Sequence, residues 1–385
     1  MIAIAVFWTC LGTVLYIYVG YPLTIMLLSL VHRRDVRKGS TVPDLTVVIA
    51  AFNEEAVIER TILNKLSQDY PTNKLSVVVV SDASTDRTDE IVQRLAEANG
   101  GRVRLLRQEP RQGKTQALNL AVSSISTAIV VFSDANSMYS PNAISTLVRS
   151  FADQDVGYVT GNMVYTNPAG TSVGEGSGQY MSYENLLRRL EMRVGSIVGV
   201  DGGIDAIRRD LFVPMRPDQL PDFVLPLKVV AQGKRVVYEP DARVYESTLS
   251  DAQGEFRMRV RVALRALWAL FDERAMLNPL RHGFFSWQLL WHKMFRYAAF
   301  VPLIGLAISN AILISESDFY AVFMALQATV YGLSGLGHIF SASRASPSYL
   351  LLPYYFVLLN IACVVAFWKF ANGQRVIVWT PRGGG

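Results

Sequence analysis

The sequence predicts an α/β domain built on a mostly parallel sheet, joined to an α-helical membrane region. Three observations predict it. Between residues 40 and 251, short apolar runs rich in β-branched residues alternate with helical stretches, the pattern of strands joined by crossover helices. Residues 2–31 contain no charged side chain and exceed the roughly 20 apolar residues that a bilayer span needs. Three more apolar runs, 298–314, 319–340 and 349–368, follow near the other end with short linkers between them. As buried core helices they would leave little polar surface to face water.

The first run is read as an uncleaved anchor. It has no basic start, and His32, Arg33, Arg34, Arg37 and Lys38 come after it, the reverse of the charge order in a cleaved leader. By the positive-inside rule this places the central domain in the cytoplasm of a multi-pass inner or plasma membrane protein. The chain of 385 residues carries 37 Lys and Arg against 32 Asp and Glu, a net charge of +5. Much of that excess lies beside the apolar runs, at 33–38 and 257–265, which favours anionic lipid headgroups over nucleic acid as partner. Cys10 and Cys363 sit inside apolar runs and give neither a disulfide framework nor a metal site. The tail poses a parity problem. Three crossings after a cytoplasmic domain would put Lys369, Arg375 and Arg382 outside, so one of the three runs is a candidate for an interfacial or re-entrant segment.

The elements follow in order. Strands are expected at 45–50, 75–80, 103–106 and 128–132, with helices at 54–66, 88–98 and 115–122 between them. Residues 168–178, rich in Gly, Ser and Thr, read as a mobile loop. A helical stretch at 180–195 follows, with Tyr183, Glu184, Arg188 and Glu191. No internal repeat is present. The organisation is then an anchor at 1–31, an α/β domain at 40–251, amphipathic interfacial helices at 252–296, membrane helices at 297–371 and a tail at 372–385.

Three of the strands end in polar residues at one sheet edge: Phe52-Asn53-Glu54-Glu55, Ser81-Asp82-Ala83-Ser84-Thr85-Asp86 and Ser133-Asp134-Ala135-Asn136. Ligands of open α/β sheets bind at the carboxyl edge of the strands, and a carboxylate there can hold a divalent cation against a diphosphate. Each cluster alone reads equally well as an N-cap supplier for the next helix. Three together make a convergent acidic and amide pocket. Arg111-Gln112-Gly113-Lys114-Thr115 opens a helix between them, where backbone N–H groups and a cation can meet phosphate. Its spacing is not that of a P-loop.

The ordered set Phe-Asn-Glu, Ser-Asp-x-Ser-Thr-Asp, Gly-Lys-x-x-Ala-Leu-Asn, Ser-Asp-Ala-Asn and Ala-Ile-Arg-Arg resembles the membrane-embedded family 2 glycosyltransferases. These have a GT-A nucleotide-sugar fold and include the poly-N-acetylglucosamine, hyaluronan, chitin and cellulose synthases. The resemblance implies that Asn53, Glu54 and Asp82 contact the base and ribose of a nucleotide sugar, UDP-linked by expectation. Lys114 would lie near the base or diphosphate. Asp134 and Asn136 would hold Mg²⁺ or Mn²⁺, Asn136 as a neutral oxygen where the family's pattern has a second aspartate. Asp222, in Leu220-Pro221-Asp222-Phe223, matches the catalytic base. Gly202 and Gly203 would let an acceptor sugar approach closely, and Glu184 would point at that acceptor. Asp205 stands where relatives often carry an aromatic or apolar residue.

The implied reaction is a single inverting displacement that forms β-linkages on a growing polysaccharide. Partners would be the donor, a glycan or lipid-linked acceptor, membrane lipids and an accessory or secretion subunit. One departure opens a second reading. Where processive relatives carry Gln-x-x-Arg-Trp, this chain has Met258, Arg261 and Val262. Arg261 keeps a role at the diphosphate, but the aromatic floor is missing, which favours transfer of one or a few sugars to a lipid or carrier. Arg257, Arg261 and Arg265 share one face of this helix beside a stripe of Phe256, Val260 and Leu264, as suits an interfacial helix. A non-catalytic nucleotide-binding membrane component is the reading from another class; Asp82, Asp134 and Asp222 together argue against it.

Overall fold

The computed structural model describes residues 1–166, 172–247, 252–341 and 347–378. The chain divides into two compact units. One holds 32–165, 188–246 and the tail from 375; the other holds 1–31, 166–187 and 247–374.

The first unit is built on an eight-stranded sheet. Its strands are β1 (Leu45–Ala51), β2 (Leu75–Asp82), β3 (Val103–Gln108), β4 (Ile129–Asp134), β5 (Met138–Tyr139), β6 (Val156–Thr166), β7 (Ile204–Arg208) and β8 (Arg235–Ser247). They lie in the order β3-β2-β1-β4-β7-β6-β8-β5. All seven residues of β1 are buried, and β2 is nearly so. A strand covered on both faces by crossover helices has no solvent face to mark with polar residues, so it reads as a continuous Val/Ile run. By contrast, the second half of β8 alternates, with Ala242, Val244 and Glu246 inward and Asp241, Arg243 and Tyr245 outward.

The β1–β2, β2–β3 and β1–β4 pairs are parallel. The helices Ile58–Leu66, Thr88–Ala98 and Lys114–Ser123 separate these strands along the chain. Parallel register brings the ends of β1, β2 and β4 to one edge, so Asn53, Asp82 and Asp134 share it. β7 joins β4 and β6 antiparallel. That pairing carries the loop before β7, with Gly202 and Gly203, to the same edge.

The second unit is helical. Ile2–Val31, Asp318–Ile339 and Tyr349–Ala371 are each long and apolar enough to cross a membrane. The run expected at 298–314 is instead half of a bent pair, Phe284–Tyr297 and Phe300–Leu313, with a 59° break between them. Val301, Ile304, Ile308 and Ile312 are exposed on its second half.

Two expectations change. The expected loop at 168–178 is helical from Ser172, within Ser172–Val194; residues 167–171 lie outside the described residues. A buried stripe of Met181, Glu184, Leu187, Arg188 and Glu191 anchors that helix and overrides its Gly- and Ser-rich start. Its charged residues Glu184, Arg188 and Glu191 are thus turned into the protein. The apolar stripe of the helix Ala252–Asp272 is covered by protein: Phe256 packs against Tyr354 and Leu358, and Arg265 is buried.

Candidate active site

The site is assembled from the strand ends upward. After β1, Asn53 adopts a positive φ of 55°, a conformation that Asn tolerates better than most residues. Its side chain then pairs with the next loop: Thr85 N donates to Asn53 Oδ1 at 2.8 Å, and Asn53 Nδ2 donates to Thr85 Oγ1 at 3.3 Å. Glu54 N donates to Thr88 Oγ1 at 2.8 Å. The Glu54 carboxyl is pushed up to about 7 by burial and by the neighbouring charges of Asp134 and Asp86.

Asp82, at the end of β2, is fully buried. It accepts from the backbone N–H groups of Gln112 at 2.8 Å and Gly113 at 3.0 Å, and from the Gln108 side chain. Its oxygens are directed at the 111–113 turn, and it thereby sets the start of the helix that carries Lys114. Gly113 has a φ of 91°, and a Cβ there would lie 2.6 Å from the Ile377 carbonyl oxygen. Arg111 lies over the Phe52 ring, 3.4 Å from its centroid.

Lys114 is the centre of the site. Its Nζ lies 2.6 Å from Asp134 Oδ1 and 3.8 Å from Asp222 Oδ1. Burial opposes its charge, but the two aspartates more than offset this and raise its pKa above the usual lysine range. The helix Lys114–Ser123 also fixes the segment leading to Asp222. Thr115 Oγ1 donates to Gln219 O at 2.9 Å, Asn119 Nδ2 donates to Met215 O at 2.7 Å, and Met215 N donates back to Asn119 Oδ1 at 3.1 Å. Asp222 lies in the first turn of Pro221–Ala231, with Leu220 as the N-cap residue. Its carboxylate rests against Gly202, whose φ is 83°, and any Cβ at Gly202 would collide with it. Gly203 is equally tight, with a Cβ position 2.6 Å from Met163 Cε and 2.9 Å from Glu246 Oε1.

The turn after β4 is clamped from behind by one face of the helix Ile58–Leu66. Thr61 Oγ1 donates to Ala135 O at 2.6 Å, Lys65 Nζ to Ser137 O at 2.5 Å, and Asn64 Nδ2 to Tyr139 O at 3.0 Å. Ser137 Oγ donates to the buried Glu246. These residues escaped the sequence reading. The spacing Thr61, Asn64, Lys65 marks one helix face, but a lone lysine in a helix ordinarily reads as a solvent anchor.

Asp205 is buried in the middle of β7, opposite Phe132 on β4 and Thr160 on β6. Burial and the charge of Asp222 push its carboxyl up to about 8.

Two candidates belong to the helical unit. Glu184 is buried there among basic residues, with Lys293 Nζ at 3.3 Å, His292 Nε2 at 3.4 Å and Arg296 in direct contact. Arg261 lies on the helix Ala252–Asp272. The remaining site residues belong to the sheet unit.

A divalent cation fits the donor set at Asp134. The Asp134 side chain is 35% exposed and Asn136 follows it in the same turn; carboxylate and amide oxygens are hard ligands of the type Mg²⁺ and Mn²⁺ take. Among the described residues, no three His, Cys, Asp or Glu side chains converge as a metal cage. The remaining ligands would thus come from a bound diphosphate.

The glycosyl transferase family 2 model matches residues 46–213. Poly-beta-1,6-N-acetyl-D-glucosamine synthase of Staphylococcus aureus is 26% identical over 224 residues, 57% of this chain and 53% of its own. Glycosyltransferase AglE of Haloferax volcanii is 30% identical over 147 residues, covering 38% of this chain and 47% of its own. The chain thus spans about half the length of these curated relatives. The solved mannosyltransferase PcManGT of Pyrobaculum calidifontis, in complex with GDP-Man and Mn²⁺, matches with a TM-score of 0.71 at 25% identity, over 96% of this chain and 98% of that one. With the strand-edge aspartates and Lys114 in place, residues 46–213 are a glycosyl transferase family 2 domain.

Proposed function

We propose that the protein is a membrane glycosyltransferase that moves a sugar from a nucleoside-diphosphate sugar to an acceptor hydroxyl by one inverting displacement. The observation that carries this reading is Lys114 Nζ set between Asp134 and Asp222. One cation thereby ties the diphosphate end of the site to its base. Asn53, Glu54 and the turn held by Asp82 would receive the nucleoside. A cation held by Asp134 and Asn136 would supply charge neutralisation to the diphosphate.

Asp222 accepts the proton of the acceptor hydroxyl. The freed oxygen attacks the anomeric carbon from the face opposite the diphosphate. The new C–O bond forms as the old one breaks, and the bonding pair leaves with the nucleoside diphosphate. Gly202 keeps the space around Asp222 open. An α-linked donor then gives a β-linked product.

Polysaccharide extension is the first reading, supported by the synthase relatives and the candidate spans. Transfer of one or a few sugars is the second. Val262, where an aromatic acceptor floor would stand, favours it, as does the match along nearly the whole chain to a mannosyltransferase. Incubating the full chain with UDP- and GDP-sugars and Mn²⁺ or Mg²⁺ tests both. We expect nucleoside diphosphate release from one donor, lost by about 10²- to 10⁴-fold in Asp222→Asn. Product length then separates polymer from single transfer, and full activity in Asp222→Asn would remove the proposed base.

The basic residues 32–38 favour the cytoplasmic side for the sheet unit, and the tail supports a specific topology. Arg375 pairs with Asp218, and Ile377 sits against Gly113, both in the sheet unit. In this reading the chain crosses the membrane an even number of times between β8 and the tail. Asp318–Ile339 and Tyr349–Ala371 would supply two crossings. The 14-residue helix Phe300–Leu313 reaches about 21 Å at 1.5 Å per residue, short of the roughly 30 Å core, so by itself it would not span, and in this reading the bent pair adds no crossing.

A further inference from the structure

Gly202 and Gly203 belong to the loop between the helix Ser172–Val194 and β7, and this loop forms the wall of the site beside Asp222. Its course is fixed from the helix side. Glu191 Oε2 accepts from Val198 N at 3.0 Å. One turn earlier, Arg188 Nε donates to Gly199 O at 3.0 Å. The two Nη groups of Arg188 meet both oxygens of Asp201, at 2.7 and 2.5 Å. Met163 N, on β6, donates to Asp201 Oδ2 at 3.4 Å. The Arg188 and Asp201 side chains are only 4% and 1% exposed, so water does not compete for this fork.

These contacts end one residue short of the proposed base. Asp201 is gripped by Arg188, and Gly202, next in the chain, turns with a φ of 83° and rests against the Asp222 carboxylate. From the other flank, Tyr139 Oη donates to Gly203 O at 3.2 Å. The backbone is thus held on both sides of the point where it meets Asp222. A planar guanidinium bound to both oxygens of a carboxylate fixes direction as well as distance, which an ammonium does not. Stability alone is a poor reason for such a pair, since well-packed apolar residues often serve as well or better in place of buried charges. A positional task fits it. The acceptor hydroxyl must reach Asp222 within hydrogen-bond distance and lie in line with the anomeric carbon. The backbone beside Asp222 decides which side of that carboxylate is open.

We propose that Arg188 and Asp201 are positioning residues for sugar transfer. They set the Gly202 wall so that the acceptor hydroxyl, rather than water, meets Asp222. The proposal rests on the transferase reading above, in which Asp222 is the base.

The test compares the full chain with Arg188→Lys and with the double variant Arg188→Met/Asp201→Asn. The double variant removes both charges together and leaves neither buried alone, and Asn keeps an acceptor for Met163 N. Calorimetric titration with nucleoside diphosphate and Mn²⁺ counts the folded sites in each protein. Turnover is then divided into sugar transferred and donor hydrolysed. In the double variant, transfer per folded site should fall about 10²-fold and the ratio of transfer to hydrolysis about tenfold, with diphosphate affinity within about twofold of wild type. Arg188→Lys keeps the charge without the fork and should lose about tenfold in transfer; it carries the test if the double variant fails to fold. A merely structural pair would lower the number of folded sites and leave turnover per site and the transfer-to-hydrolysis ratio as in wild type, which would overturn the proposal. Equal losses of transfer and hydrolysis would also overturn it, by placing the defect at the donor. A wild type that binds the diphosphate yet transfers sugar to no acceptor would remove the transferase reading itself, and the proposal with it.

Discussion

Asp205 lies in the centre of the sheet with its carboxyl shielded from water, near the charges of Asp222, Asp201 and Lys114 and the hydroxyls of Thr160 and Tyr158. Its folded pKa, about 8, is raised from 3.8. Between those values the native state holds a proton that the unfolded chain has released, so this group's contribution to stability falls as pH rises from about 4 to 8 and then levels off. Asn mimics the protonated acid and carries no such penalty. Asp205→Asn should therefore gain stability relative to wild type between pH 5 and 8.5 in denaturant titrations. Its turnover at pH 7 should stay within about threefold of wild type, because the acid it replaces is already neutral there. A variant that loses stability equally at both pH values would show that Asp205 is ionised in the fold. The sequence marked this residue as unusual but gave no chemistry for it. Burial and the distance to other charges depend on which strands flank β7, and that pairing is non-local.

At the scale of elements, the helix Ile58–Leu66 does more than cover the sheet. Thr61, Asn64 and Lys65 hold the backbone carbonyls of the turn that carries Asp134 and Asn136. Lys65→Met leaves the Ser137 carbonyl without that donor and should cost about 1–3 kcal/mol of stability. It should also loosen the turn, raising the Mn²⁺ concentration needed for half-saturation several-fold with a smaller effect on kcat. Mn²⁺ binding followed by electron paramagnetic resonance in the presence of nucleoside diphosphate would separate looser metal binding from slower chemistry; unchanged affinity would leave Lys65 a purely structural residue. The strands β1, β2 and β4 were legible because double-sided burial writes itself as a run rich in Val and Ile, and the edge strand β3 from its place in the alternation with helices. β5 to β8 were not, since short or alternating strands in an antiparallel half leave a weaker local signal. The strand-end residues Asn53, Asp82 and Asp134 were legible for the same reason as their strands. Lys65 was not, because its partner lies 72 residues away.

At the scale of the whole molecule, the tail bears on a question that hydropathy alone leaves open. Counting apolar runs gives three crossings after the catalytic unit and places Arg375 on the far side. The contacts of Arg375 with Asp218 and of Ile377 with Gly113 require the near side. A bent pair that does not complete a crossing reconciles the two, and its break of 59° and short second helix allow this. The two topologies give opposite labelling patterns. With Cys10 and Cys363 replaced by Ala, a single cysteine at Glu316 should be protected from a membrane-impermeant maleimide in intact cells, and one at Phe340 should react. If the bent pair crosses, Glu316 should react and Phe340 should be protected, and the tail could not rest on the sheet unit. A cysteine at Gln374 provides the independent check: protection in intact cells and reaction after lysis put the tail on the side of the transferase domain, where Arg375 can reach Asp218.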